Sequence, residues 1–332
     1  MMPTSSFPTH RTASMKTALR FLLSTFALAG ACAAHAGYPD RPITMIVPFS
    51  AGAGTDLTAR TVAQCMESQI KGATIVVTNR PGASGDIGLA ALATAAPDGY
   101  TLGIVNTPGV VSIPIERQTR YTVASFDFLG AVADAPGTIS VHADSGIHTI
   151  QDLVRAAKAK PGSVTVGTQG VGSAGHIALL LLEQSAGIEL TPVPFQGAAP
   201  ARTALLGKVI DTTMANVDEA VSFRNGSPWR ILGVMSDARS SVAAELPTFK
   251  EAGYDIVAGS MRGFAGPKGM PREVVKTLSD AIRTCAADPV FLDRAQKSFL
   301  PVRYLPPQEY LSSLRRLDTS LRELWKAKPW NQ

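Results

Sequence analysis

Charge and aromatic rings are scarce in this 332-residue sequence: Asp, Glu, Lys and Arg make up 17% and Phe, Trp and Tyr 6%, beside 45% apolar positions. Low charge with ordinary apolar content excludes an intrinsically disordered chain. Charge of one sign is also lacking, with 31 basic residues against 26 acidic ones. Arg11, Lys16 and Arg20 precede residue 37 and no acid does, so the remainder balances at 28 against 26. The main body therefore has no basic field of the kind nucleic acid needs, and no nucleic-acid partner is expected. The apolar run near the N-terminus is too short for a membrane span of about 20 residues, because only 14 uncharged residues separate Arg20 from His35. Internal repeats and low-complexity tracts are absent, and there are only three cysteines.

What is present starts with an export pattern. From Met15 the order is Lys16 and Arg20, the apolar run Phe21 to Ala31, then Ala34-His35-Ala36, a basic n-region, an h-region and an A-x-A site. Residues 1–36 are read as a signal peptide with an N-terminal extension, cleaved near Ala36, and the mature chain is placed in the periplasm. Cys32 lacks the aliphatic residue three positions before it that lipid attachment favours. Cys65 and Cys285 then remain. An oxidising compartment allows a disulfide between them, but the preferred reading is two buried small hydrophobes. Neither has a Cys or His partner at metal-ligand spacing, so no metal site is expected.

The body alternates strands and helices. Ile43–Phe49, Thr74–Thr78, Thr101–Val105, Val164–Val166, Leu190–Pro194, Ile210–Met214 and Ile231–Met235 read as strands. Helical spacing marks Thr55 to Ile70, Ile87–Ala95, Ile150–Ala159, His176–Ser185, Ala199–Leu206 and Val217–Phe223. The last third reads as mainly helical, with Pro271 opening a helix to Ala286, then Asp288–Phe299 and Gln308–Ala327. Such an order predicts parallel sheets covered by helices. At this length two domains are the prior expectation.

Three strand-to-helix turns share one chemistry: Ser50–Thr55, Thr168–Ser173 and Gln196–Ala199. A helix N-terminus presents unpaired N–H groups and a positive dipole end, and small residues let an anion reach it. A tight turn explains any one of them; three in one chain point to an anion site. Rival motifs fail on spacing. Leu57 stands where a dinucleotide fingerprint needs its third glycine, no Gly-Lys-Ser/Thr follows the glycines, and neither Ser84 nor Ser173 has the G-x-S-x-G context of a nucleophile elbow. His176 reads as capping or packing, Asp56 as complementing a helix dipole, and no catalytic set assembles. An exported α/β chain with anion-ready turns and no catalytic residues reads as a solute receptor without cofactors.

Several motifs carry a family likeness: Tyr38-Pro39-Asp40-Arg41-Pro42-Ile43, Val47-Pro48-Phe49 with Gly52-Ala53-Gly54-Thr55-Asp56, and Asn79-Arg80-Pro81-Gly82-Ala83. Ala96-Pro97-Asp98-Gly99-Tyr100, Gly170-x-Gly172-Ser173 with His176, and Val193-Pro194-Phe195-Gln196-Gly197-Ala198-Ala199-Pro200 follow in order. From Tyr38 to about Trp325 the chain resembles the Bug (TctC-like) periplasmic solute receptors of tripartite tricarboxylate transporters. The resemblance implies a type II-like two-lobe α/β binding protein, each lobe a mainly parallel sheet flanked by helices, joined by two crossing strands. Lobe 1 would take residues 37–140 plus 256–332 and lobe 2 residues 141–255, with the last helix packing back on lobe 1. It also implies a monomer that binds a small mono- or dicarboxylate and passes it to membrane transporter subunits.

Carried over by position, the implied ligand-binding residues are Ala51, Gly52 and Thr55, then Asn106 and Thr107. In the second lobe they are Thr168, Gly172 and Ser173, then Gln196, Gly197 and Ala198. Two departures qualify the match. Ala215-Asn216 replaces a frequent Asp-Asn, so an acid able to read an amino group is expected to be missing, which argues against an amino-acid ligand. Met261-Arg262 replaces an aromatic pair, and Arg262 is a candidate for a second carboxylate, with a solvated or interlobe ion pair as the competing role. A secreted α/β enzyme acting on a small acid, and a ligand-loaded sensory module docking on a signalling receptor, remain alternatives.

Overall fold

Ile43–Val47 is apolar at four of five positions and buried at four, the composition of a strand covered on both faces. It forms β1, the centre of a parallel group with β2 (Ile75–Asn79) and β3 (Thr101–Asn106). A second parallel group centres on β5 (Thr165–Thr168), between β6 (Thr191–Pro194) and β7 (Thr212–Asn216). The computed structural model describes residues 37–330; the expected leader, residues 1–36, lies outside them.

Two antiparallel strands join the groups: β4 (Phe126–His142) and β9 (Gly259–Pro267). The order is β2-β1-β3-β9-β4-β7-β5-β6, with β8 (Trp229–Met235) and β10 (Val302–Leu305) also paired to β4. Residues 126–136 of β4 pair with β9, and residues 137–142 pair with β7 and β8. One 17-residue strand thus serves both groups. Neither β9 nor β10 is legible from hydrophobic pattern, so the last third is less helical than predicted. In β9 the glycines have a packing reason. A Cβ on Gly259 would lie 2.4 Å from Ala135 O, and one on Gly263 would lie 2.2 Å from the Tyr310 ring.

Helices follow the parallel strands. In the first group these are α1 (Gly54–Gln69), α2 (Asp86–Ala93) and α3 (Gly109–Glu116). In the second, α4 (Ile150–Ala159) precedes β5, while α5 (Ala174–Ala186), α6 (Ala198–Leu206) and α7 (Val217–Arg224) follow β5, β6 and β7. The chain closes with α8 (Arg272–Cys285), α9 (Pro289–Lys297) and α10 (Pro307–Ala327). On α10 the predicted stripe is buried at Tyr310, Leu314 and Leu321. The Tyr310 ring meets Phe128 of β4 edge-on at 5.5 Å, and its hydroxyl donates to Val105 O of β3 at 2.9 Å. Just beyond α10, Lys328 Nζ bonds Glu183 Oε2 of α5 at 2.7 Å, so this end of the chain also reaches the second group.

The two cysteines correct the preferred reading. Cys65 on α1 and Cys285 at the end of α8 form a disulfide with Cα atoms 5.8 Å apart, across 220 residues of sequence. Both are buried, so burial and bonding occur together. Sequence spacing could not show that α1 packs on α8.

Candidate functional site

Loops at the carboxyl ends of the parallel strands meet around one small cavity of about 70 Å³. From the first group come Phe49, Ser50, Ala51, Ala53 and Thr55 after β1, then Asn106, Thr107 and Gly109 after β3. The second group supplies Gln169, Ser173 and Ala174 after β5, Gln196 to Pro200 after β6, and Asn216 and Glu219 after β7. Ser260 of β9 completes the wall. Thr55, Asn106, Ser173 and Ala198 are buried, whereas Ala51, Gln196 and Pro200 are exposed at the mouth. The volume lies well below the roughly 300–1,000 Å³ of drug-sized sites, which favours a compact guest.

Five helices begin at this cavity: α1, α3, α5, α6 and α7. Three of them, α1, α3 and α6, start from Ala53, Pro108 and Gly197, none of which caps its helix with a side chain. Ser, Thr, Asp or Asn at such a position typically adds about 0.5–2 kcal/mol of stability. Apart from Gly54 N, which donates to Glu219, such starts leave first-turn N–H groups open to another acceptor, the arrangement that binds anions. Three hydroxyls add to them. Thr55 Oγ1 accepts from Asn106 Nδ2 at 2.7 Å, Thr107 Oγ1 from Met261 N at 2.8 Å and Ser173 Oγ from His176 N at 3.3 Å. None of the three donates a bond to any described residue, so each O–H hydrogen is free to turn toward a guest.

Eight of the twelve sequence-derived site residues line the cavity: Ala51, Thr55, Asn106, Thr107, Ser173, Gln196, Gly197 and Ala198. The other four lie outside the lining, each for a local reason. Gly52 turns its N–H onto Asp56 Oδ2 at 2.9 Å. Gly172 donates its N–H to His176 Nδ1 at 3.1 Å, and its carbonyl accepts from Ser112 Oγ of α3. Thr168 lines a separate hollow with His176, Pro192 and Trp330. Arg262 is fully buried in a bidentate pair with Asp218 of α7, at 2.6 and 3.2 Å, with Thr58 Oγ1 of α1 at 3.2 Å. Its guanidinium therefore ties the two groups together, which is the competing role, and is not offered to a second carboxylate.

Motif residues outside the cavity shape its corners. Asp56 is buried beneath the first corner and receives Gly52 N, Arg60 Nε at 3.0 Å and Asn79 Nδ2 at 2.8 Å. Burial pushes its carboxyl up, but these hydrogen bonds outweigh that and hold it below the ordinary carboxylate range. Asn79 also donates to Phe49 O at 3.0 Å. Burial lowers His176 to about 4 against the pull of Glu183, so the ring is neutral near pH 7 and its Nδ1 accepts the Gly172 N–H.

Glu219 was not among the sequence candidates, and it corrects one expectation. An acid does face the cavity, supplied four residues after Ala215. Asn216 followed three residues later by Glu219 is a capping-box spacing, a signal that could have placed it at a helix start. Its oxygens accept from Asn216 N at 3.2 Å and Gly54 N at 3.4 Å. Burial raises its carboxyl above the ordinary range and neighbouring Asp218 adds to this, with Arg262 opposing.

Residues 58–315 match the model of the tripartite tricarboxylate transporter family receptor, TctC. Protein BugT of Bordetella pertussis is 30% identical over 280 residues, covering 82% of this chain and 84% of BugT. Among solved structures, the periplasmic binding protein BugD is 31% identical, with 87% of this chain and 98% of BugD covered and a TM-score of 0.80. R. palustris Rpa4515 with adipate is 26% identical, with 87% and 97% covered and a TM-score of 0.81. The mixed sheet with its two parallel groups is accordingly the two-lobe α/β architecture of periplasmic binding proteins.

Proposed function

The chain belongs to the tripartite tricarboxylate transporter receptor (TctC) family, and on that premise we propose that it is an exported monomeric receptor that captures a small mono- or dicarboxylate and delivers it to membrane transporter subunits. Export would follow cleavage near Ala36. Capture would occur between lobe 1, residues 37–140 with 256–332, and lobe 2, residues 141–255. The observation that supports this most is the convergence of five helix N-termini, three of them bare, on one cavity walled by both parallel groups.

Magnitudes favour recognition shared by the two lobes. Micromolar affinity corresponds to about −8 kcal/mol. A helix dipole contributes roughly 0.3–2 kcal/mol, while a hydrogen bond to a charged group contributes about 1.5–3 kcal/mol. Four or five such bonds, less the losses of ordering and docking, reach the target. Donors face the cavity from both walls, so closure would bring them onto one guest together and a filled, closed form would report occupancy to the transporter. In this reading the guest is held unchanged, and His176, kept neutral by burial and bonded to Gly172, serves the corner.

Native mass spectrometry of the protein taken directly from cells tests the proposal. The expected result is one low-mass carboxylic acid per chain, released unchanged on denaturation. Chemical conversion of an added acid by the pure protein would instead establish an enzyme.

A further inference from the structure

Donors dominate the wall of the cavity, yet two of its side chains have the opposite character. Glu219, third residue of α7, accepts from Asn216 N on its own helix and from Gly54 N, the first residue of α1, on the other side. Each of its oxygens accepts one bond here and has about two lone-pair sites, so acceptor capacity is left for another donor. Asp218 beside it is matched by Arg262, whereas no cation forms a salt bridge with Glu219 among the described residues. Asn106 is the second case. Its Nδ2 goes to Thr55, and its Oδ1 is buried without a partner. A buried acceptor that has lost water and found no donor is a standing cost.

A guest that is only an anion fits this wall poorly, because its carboxylate would face a second carboxyl at close range. A guest that also carries a donor answers the oxygens left over. We propose that Glu219, assisted by Asn106, reads a hydroxyl or ammonium group next to the guest's carboxylate, so that the site selects small hydroxy or amino acids over the unsubstituted acid of the same length. This rests on the carboxylate-receptor reading and narrows it. The small cavity agrees, since a compact acid brings its donor within reach of both walls at once. Capping α7 alone would also explain a glutamate here, but a cap needs only one oxygen, and the second reaches across to Gly54.

Titration calorimetry on the full chain, with three matched series, separates the readings: acetate, glycolate and glycine; propanoate, lactate and alanine; succinate, malate and aspartate. In at least one series the donor-bearing member should bind tenfold or more tightly than the bare acid. Glu219→Ala should bring that ratio near one. Glu219→Gln keeps the cap and an acceptor but removes the charge, so it should retain most of a hydroxyl preference and abolish an ammonium preference. Bare acids binding as well as their substituted partners, or an unchanged ratio in a folded Glu219→Ala, would overturn the proposal while leaving the receptor reading intact. Failure of every acid to bind the unsubstituted protein would overturn both.

Discussion

The corners Ser50–Thr55 and Thr168–Ser173 lie on opposite sides of the cavity and look alike in sequence, yet they contribute different chemistry. In the first, α1 starts bare from Ala53, and Asp56, Arg60 and Asn79 brace the loop from outside the cavity. In the second, Ser173 already caps α5 through His176 N, and the Gly172 N–H is bound to His176 Nδ1. The first corner therefore offers backbone N–H groups, while the second offers chiefly the Ser173 hydroxyl. Glycine in both marks where the chain turns: Gly52 at φ +81°, Gly170 at +104° and Gly172 at +74°. The residues of these corners that line the cavity are the small ones beside them, Ala51, Ala53 and Ser173 among them.

The most severe way to break the comparison is Ser173→Trp. An indole on the second corner cannot share a void of about 70 Å³ with any guest. We predict that calorimetry shows a loss of affinity of about a thousandfold or more, near 4 kcal/mol, in a protein that still unfolds cooperatively, at a midpoint lowered by loss of the Ser173 cap on α5, about 0.5–2 kcal/mol. Undiminished affinity would remove this corner from the site.

Next in size is the tie between the two strand groups. Asp218→Ala would leave Arg262 buried without its partner, and breaking such a pair costs about 3–5 kcal/mol. Denaturant titration should register that loss, and binding should weaken as well, because the guanidinium packs directly under Gly54. A change below about 1 kcal/mol would mean that the pair behaves as a surface contact.

A smaller effect isolates the first corner. Asp56 has its pKa lowered on folding, so its contribution is fully present above the unfolded value near 3.9 and is lost as pH falls through the lower folded value. Asp56→Asn should therefore flatten the decline of stability below about pH 4 while destabilising the protein by about 1–3 kcal/mol at neutral pH. Urea titrations at pH 7 and pH 3 check both. An acid limb identical to that of the unsubstituted protein would mean that other carboxylates carry it.

Much of this was legible from residues alone, and the misses share physical causes. The parallel strands and most of the helices follow from apolar runs and helical spacing, as in Ile43–Val47 and the Tyr310 stripe. β9 escaped because Gly259 and Gly263 are chosen for close backbone approach and for the Tyr310 ring, which hydrophobic pattern does not record. The disulfide escaped because it depends on α1 packing against α8 across 220 residues. At the site, position in a turn predicted proximity well, but the direction of an N–H did not follow from it. Gly52 and Gly172 sit in the right turns, and their N–H groups are bonded to Asp56 and His176 instead. Glu219 escaped because Gly54, whose N–H it accepts, comes from a distant part of the chain.

The finest test compares two glycines of the same kind in different roles. Gly52 and Gly197 both have positive φ, +81° and +119°, and both would place a Cβ in open space. Alanine at either position carries backbone strain, with a stability loss on the order of 1 kcal/mol or more. Binding should separate them. Gly52 points its N–H at Asp56, outside the lining, so Gly52→Ala should leave affinity within about twofold. Gly197 lines the cavity and starts α6 without a cap, so the backbone adjustment forced by Gly197→Ala should misdirect the Ala198 and Ala199 N–H groups and weaken binding about tenfold, near 1.4 kcal/mol. Equal losses at the two positions would mean that the corners bind as whole loops, with no distinction between turning residues and contacting ones.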